Sequence, residues 1–174
     1  MKRCCLFIIA CLVLSGCKPV ATGDIKVQAQ ANPKTNFDGY KTYGWSKTVM
    51  IVNDPYGQWE PPAFDADAEI RNLIEQQLRS RGMKEDPLLP DLIVGFSAGV
   101  NIDAYKIKVD PNTKMDILEQ VPKGGLVVVF MDGETGMVNW VGMATAEVQK
   151  QPSTETVKKR LDYAVTEMFK KLPK

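Results

Sequence analysis

The chain has 174 residues, with 22 Lys and Arg set against 21 Asp and Glu, and it has no histidine. A balanced charge leaves no basic surplus to neutralise phosphates, which argues against nucleic-acid binding. The lack of histidine removes Ser-His-Asp and Cys-His nucleophile systems and nearly all zinc sites.

Lys2 and Arg3 precede an apolar run from Leu6 to Leu14 that exits through Ser15 and Gly16. A charged start, a greasy middle and small exit residues make a secretory signal, and the run is too short to span a bilayer. The ending Leu14-Ser15-Gly16-Cys17 resembles the lipobox of bacterial lipoproteins. That resemblance implies removal of residues 1–16, a diacylglycerol on the Cys17 thiol and a third acyl chain on the new amino group. Cys4, Cys5 and Cys11 leave with the signal, so the mature chain is expected to hold no free thiol and no disulfide. Residues 17–24 are small and polar and read as a lipid-anchored tether. Residues 25–174 are the right size for a single domain. Lys18 follows the lipid site. Resemblance to other envelope lipoproteins implies that aspartate there would favour the inner membrane, so Lys18 points to the periplasmic face of an outer membrane.

Ile25, Val27, Ala29 and Ala31 alternate with polar residues and predict a strand. A turn at Asp38-Gly39 leads to a second strand through Tyr43 and Trp45. Residues 53–63 are rich in Pro, Gly and Asn and read as a loop. Tyr56 and Trp59 sit in it as candidate contact residues, or as aromatics that pin the loop to the core. Ile70, Leu73, Ile74 and Leu78 fall on one face of a helix over 65–81. Asp65, Asp67 and Glu69 crowd its first turn. They suit the positive end of the helix dipole better than a metal ion, because residues two apart diverge by about 200°. Gly82 is placed to end it.

Leu92 to Ile102 alternates cleanly, with Ser97, Gly99 and Asn101 on an expected wet face. A shorter strand follows through Tyr105 and Val109. Residues 110–124 have weak periodicity and read as a long loop. Leu126 to Asp132 and Met137 to Val148 form a hairpin about a Gly133 and Gly136 turn. Val138, Trp140, Gly142 and Ala144 are expected on one face, a large ring among small residues. Asp132 and Glu134 read as solvated turn acids rather than a catalytic pair. A final helix opens at Ser153, with Val157, Leu161, Val165, Met168, Phe169 and Leu172 on its apolar stripe.

Several stretches together resemble the DUF4136 family of bacterial lipoproteins, whose function is unassigned. They are Phe37-Asp38-Gly39-Tyr40-Lys41-Thr42-Tyr43-Gly44-Trp45, Leu78-Arg79-Ser80-Arg81-Gly82, Pro90-Asp91-Leu92-Ile93-Val94, Gly125-Leu126-Val127-Val128 with Asp132, and Val138-Asn139-Trp140-Val141-Gly142-Met143-Ala144. The resemblance brings no catalytic residues. It implies a lipoprotein habit and an α+β fold.

The expected architecture is α+β: a mostly antiparallel sheet of about five or six strands with two helices packed on one face. The expected function is non-enzymatic, a binding or scaffolding module of the cell envelope that meets an envelope protein or cell-wall component. The alternative is a small-ligand carrier or a histidine-free hydrolase working through carboxylates. No cofactor and no metal are expected. Cys17 is the lipidation site. Tyr56, Trp59, Ser97 and Asn101 mark the candidate binding surface.

Overall fold

A computed structural model describes residues 20–46, 63–99, 103–109, 116–122, 125–146, 149 and 152–173. The signal, Cys17, Tyr56, Trp59 and Asn101 lie outside them.

Among the described residues, six strands form one sheet in the order β1-β8-β7-β4-β2-β3. They are β1 (Lys26–Ala31), β2 (Thr42–Trp45), β3 (Lys84–Glu85), β4 (Leu92–Gly99), β7 (Gly125–Asp132) and β8 (Val138–Thr145). The sheet is mixed. β1, β8, β7 and β4 pair antiparallel, whereas β2 pairs parallel with both β3 and β4. Parallel neighbours need a crossover, and α1 (Ala66–Ser80) lies between β2 and its parallel partners. α2 (Thr154–Lys170) closes the chain.

Local chemistry explains both helix starts. The Asp65 carboxylate accepts the Ala68 amide at 3.0 Å, and Ser153 Oγ accepts the Thr156 amide at 3.2 Å. Each cap satisfies an amide that the helix itself leaves free. α1 ends as expected, with Gly82 at a φ of 81°.

Both helices contribute to the main core on one side of the sheet. Ile70, Leu73, Ile74 and Leu78 of α1 join Val165, Met168 and Phe169 of α2 over Tyr43, Val94, Phe130 and Trp140. Trp140 is fully buried, 4.8 Å from Phe130 and 5.9 Å from Phe169 between ring centroids. Gly142 makes room for it. A Cβ there would lie 2.2 Å from the indole.

Arg81, just past α1, binds the end of α2. Its guanidinium donates to the carbonyls of Phe169, Leu172 and Pro173 at 3.1, 2.8 and 2.9 Å. The Leu172 and Pro173 carbonyls lie past the last helical residue, where no further turn of helix supplies a donor. Replacing Arg81 by methionine keeps the stem and removes the donors. A loss of about 1 kcal/mol is expected in urea unfolding, with an unchanged m-value.

Three expectations change. First, residues 110–124 are not one long loop. β5 (Asp103–Val109) pairs antiparallel with β6 (Asp116–Pro122) as a separate two-stranded ribbon. The run Asp116-Ile117-Leu118-Glu119-Gln120-Val121-Pro122 breaks simple alternation, which hides its strand character. Second, the sheet face opposite the helices is not simply wet. Val127 and Val141 are each only 2% exposed there, and the ribbon lies against β8 and β7. Third, Val138 does not share a face with Trp140. Met131 pairs with Val138 and Phe130 with Trp140, so Asn139 is the extra residue of a β-bulge. A bulge shifts the two-residue parity, and Val138 joins Val127 and Val141 on the second face.

Candidate functional site

The bulge aims Asn139 at Tyr40. Asn139 is the one polar residue among the described residues that stands as buried, at 6% exposure. Its amide Nδ2 donates to Tyr40 Oη at 2.6 Å. The Asn139 backbone carbonyl accepts the Asn32 backbone amide at 2.8 Å, which ties the end of β1 to the same corner.

Tyr40 Oη donates in turn to Asp132 Oδ2 at 2.8 Å. The other carboxylate oxygen, Oδ1, accepts the Thr135 amide at 2.8 Å, the Thr135 hydroxyl at 2.8 Å and the Glu134 amide at 3.2 Å. Asp132 therefore shapes the β7–β8 turn and grips a tyrosine from before β2. The expectation of a simply solvated turn acid is corrected here. Its partner is 92 positions away in sequence, beyond the reach of any local pattern.

A second acid stands alongside. Asp91 Oδ2 accepts the amides of Lys41 and Thr42 at 2.8 and 2.9 Å, and the Asp91 amide donates to Thr42 Oγ1 at 2.9 Å. The Gly133 amide donates to the Asp91 carbonyl at 2.8 Å. The approach is so close that a Cβ on Gly133 would fall 1.8 Å from the Pro90 carbonyl oxygen. Gly133→Ala must move one backbone away from the other. It should lower stability by roughly 1–3 kcal/mol, read as a lower thermal midpoint.

The electrostatics follow from these bonds. The Thr135 amide, with the other donors, holds the Asp132 carboxyl below the usual range despite partial burial. The Lys41 and Thr42 amides hold Asp91 low in the same way. Burial, aided by the Asp132 carboxylate, pushes the Tyr40 hydroxyl up to about 12. Two ionised acids and one neutral phenol result.

This corner lines an open groove of about 680 Å³, between Asn32–Asn36 on one side and the loop before β4 on the other. Leu88 and Leu89 stand on that loop at 86% and 83% exposure. Pro87 and Pro90 flank them, and Asp86 Oδ1 accepts both their amides at 3.0 and 3.1 Å. The leucines are thus held out by a braced turn. The sequence alone does not mark them, because two leucines between two prolines show neither a helical nor a strand period.

Of the residues expected to mark a binding surface, Ser97 alone is described. It sits half-buried on β4 opposite Val127. That places it near the far end of β4 from the groove, and the structure does not bring the two together. Among the described residues, no three His, Cys, Asp or Glu side chains gather where a metal ion could sit. No described helix is long and apolar enough to cross a membrane.

The family model for a domain of unknown function, DUF4136, matches residues 27–174. The chain belongs to the DUF4136 family. A DUF4136 family protein from Bacteroides thetaiotaomicron has a similar structure, with a TM-score of 0.56 and 11% identity over 83% of this chain and 95% of that one. A PDZ domain protein from Parabacteroides distasonis matches at a TM-score of 0.46 and 15% identity over 87% of this chain. This chain spans only 37% of that protein's length. The PelC dodecamer from Paraburkholderia phytofirmans matches at a TM-score of 0.44 and 14% identity, over 83% of this chain and 94% of that one. No curated protein matches the sequence. At these identities the likeness between DUF4136 structures speaks for the fold alone.

Proposed function

We propose that this protein is a lipid-anchored module of the bacterial envelope that binds a partner and performs no catalysis. The observation that carries the reading is the structural engagement of Asp132 and Asp91, the two groove acids that are bonded into the backbone. A general acid or base works best with a pKa near the working pH and a lone pair or proton free for substrate. Asp132 and Asp91 are held well below that range; both oxygens of Asp132 are engaged by Tyr40, Thr135 and the Glu134 amide, and Oδ2 of Asp91 by the Lys41 and Thr42 amides. They act as struts that tie the Asp86–Asp91 loop and the β7–β8 turn to residues 40–42, while the Gly133 amide joins loop to turn through the Asp91 carbonyl. What the struts present is Leu88 and Leu89, an apolar pair beside a polar groove, and exposed apolar pairs on a braced loop suit a contact surface. The lipobox-like ending at Cys17 supports an anchor in the periplasmic leaflet of the outer membrane, with Lys18 favouring that membrane over the inner one. Three acyl chains hold a protein on a bilayer essentially permanently, at about 0.8 kcal/mol per buried CH₂.

Two measurements test this. The Cys17→Ser protein should move from the membrane to the soluble fraction; retention on membranes without detergent would contradict the anchor. A photo-crosslinker at Glu134, on the groove's rim, should give one reproducible adduct in intact envelopes. Leu88→Ser with Leu89→Ser should weaken that adduct severalfold. An adduct pattern unchanged by the double substitution, or turnover of a substrate by the purified protein, would sink the reading.

A further inference from the structure

The start of the domain is stitched to α2 before it enters β1. Arg160 of α2 grips Asp24 with both arms of its guanidinium, one to Oδ1 at 2.8 Å and one to Oδ2 at 2.6 Å. It also donates to the Ala21 carbonyl. The Ile25 amide donates to the Thr22 carbonyl at 3.0 Å, which closes a turn between these contacts. The Arg160 side chain is only 11% exposed and Asp24 25%. A two-pronged, half-desolvated pair fixes direction as well as distance, which a single lysine contact does not.

β1 then runs the length of β8. Lys26 lies opposite Thr145 and Ala31 opposite Trp140. At about 3.3 Å per residue, the strand carries the chain roughly 20 Å from the clamp to the corner of Asn139, Tyr40 and the groove. Clamp and groove therefore occupy opposite ends of the sheet.

We infer that the Arg160–Asp24 clamp sets the stance of the anchored domain, holding the end with Lys26 down toward the bilayer and the Leu88–Leu89 groove away from it. The inference rests on the lipid anchor proposed at Cys17. Given that anchor, Lys18, Pro19 and Val20 alone separate the lipid from the clamped segment, a reach of about 10–14 Å when extended. A partner of the groove meets it from the aqueous side, and the membrane that holds Cys17 cannot cover the leucines.

The test uses the full protein purified from membranes, as wild type, Arg160→Ala and Arg160→Lys. Hydrogen exchange should rise about tenfold in the peptide spanning residues 20–26 of Arg160→Ala, with β7 and β8 unchanged. Arg160→Lys should fall between the two, because it keeps the charge and loses the fork. Fluorophores on Lys26→Cys and Glu134→Cys are then compared in vesicles of phosphatidylethanolamine and phosphatidylglycerol carrying a headgroup quencher. Quenching should be strong at position 26 and near background at 134. The contrast should shrink when Arg160→Ala is added. Exchange in Arg160→Ala within about twofold of wild type overturns the clamp. Equal quenching at the two sites in the wild-type background overturns the stance. A mass without acyl groups overturns the anchor and the stance with it, while the exchange comparison still judges the clamp on its own.

Discussion

Trp140→Ala should lower the unfolding free energy by about 3–5 kcal/mol and the thermal midpoint by roughly 10 °C. The indole is fully buried and touches both layers of the fold, with Phe130 from the sheet on one side and Phe169 from α2 on the other. Gly142, which lies against the ring, has no side chain to turn into the space. A cavity of that kind adds its own cost to the lost transfer energy. Among the described residues the buried indole nitrogen has no hydrogen-bond partner, so the effect is one of volume and not of polarity. Trp140→Phe is the control. It leaves a smaller gap and removes an unsatisfied donor, and burying such a donor costs about 1–3 kcal/mol. Its net cost should be well under half that of alanine. Equal losses from the two substitutions in urea unfolding would assign Trp140 a role other than filling the core.

The same residue marks where sequence reading succeeds. Trp140 was legible as a core ring because small residues surround it at even spacing on β8. Ile70 to Leu78 and Val165 to Phe169 were legible because a 3.6-residue period repeats over a whole helix. Asp65 and Ser153 announced the helix starts because capping is local chemistry. The losses share one cause, which is distance along the chain. Simple alternation puts Val138 on the wrong face because the bulge at Asn139 shows only when β8 is laid against β7. The ribbon strand β6 reads as loop in the sequence because its pairing with β5, not its own pattern, makes it a strand. Tyr40 and Asp132 both stood among the residues that carry the DUF4136 likeness, yet no spacing rule joins them. Leu88 and Leu89 become a presented pair only through the bracing of their loop by Asp86, which no pattern of the sequence announces.

Asp132→Ala should cost about 2 kcal/mol near neutral pH, the second large effect expected. The figure comes from the bonds lost. Tyr40 Oη, the Thr135 amide and hydroxyl and the Glu134 amide all lose their acceptor, and the Tyr40 hydroxyl is partly buried beside Asn139. The cost must depend on pH, and its sign follows from the direction of the shift. The folded protein holds Asp132 below its ordinary pKa, chiefly through the Thr135 amide. The unfolded chain takes up that proton near the usual value of about 3.9. The contribution is therefore complete above the unfolded pKa and is lost as pH falls through the folded one. Wild type and Asp132→Ala should differ most near neutrality and converge as the pH drops below about 4. Tyr40 adds an opposite check at the alkaline end. Its raised pKa, near 12, is caused first by burial and next by its bond to Asp132. Without the carboxylate, the phenol should ionise at lower pH, visible as an earlier rise in ultraviolet absorbance during alkaline titration. Denaturation series at several pH values would decide the matter. A constant gap from neutral to strongly acidic pH would mean that the Asp132 charge contributes nothing to holding the β7–β8 turn against Tyr40.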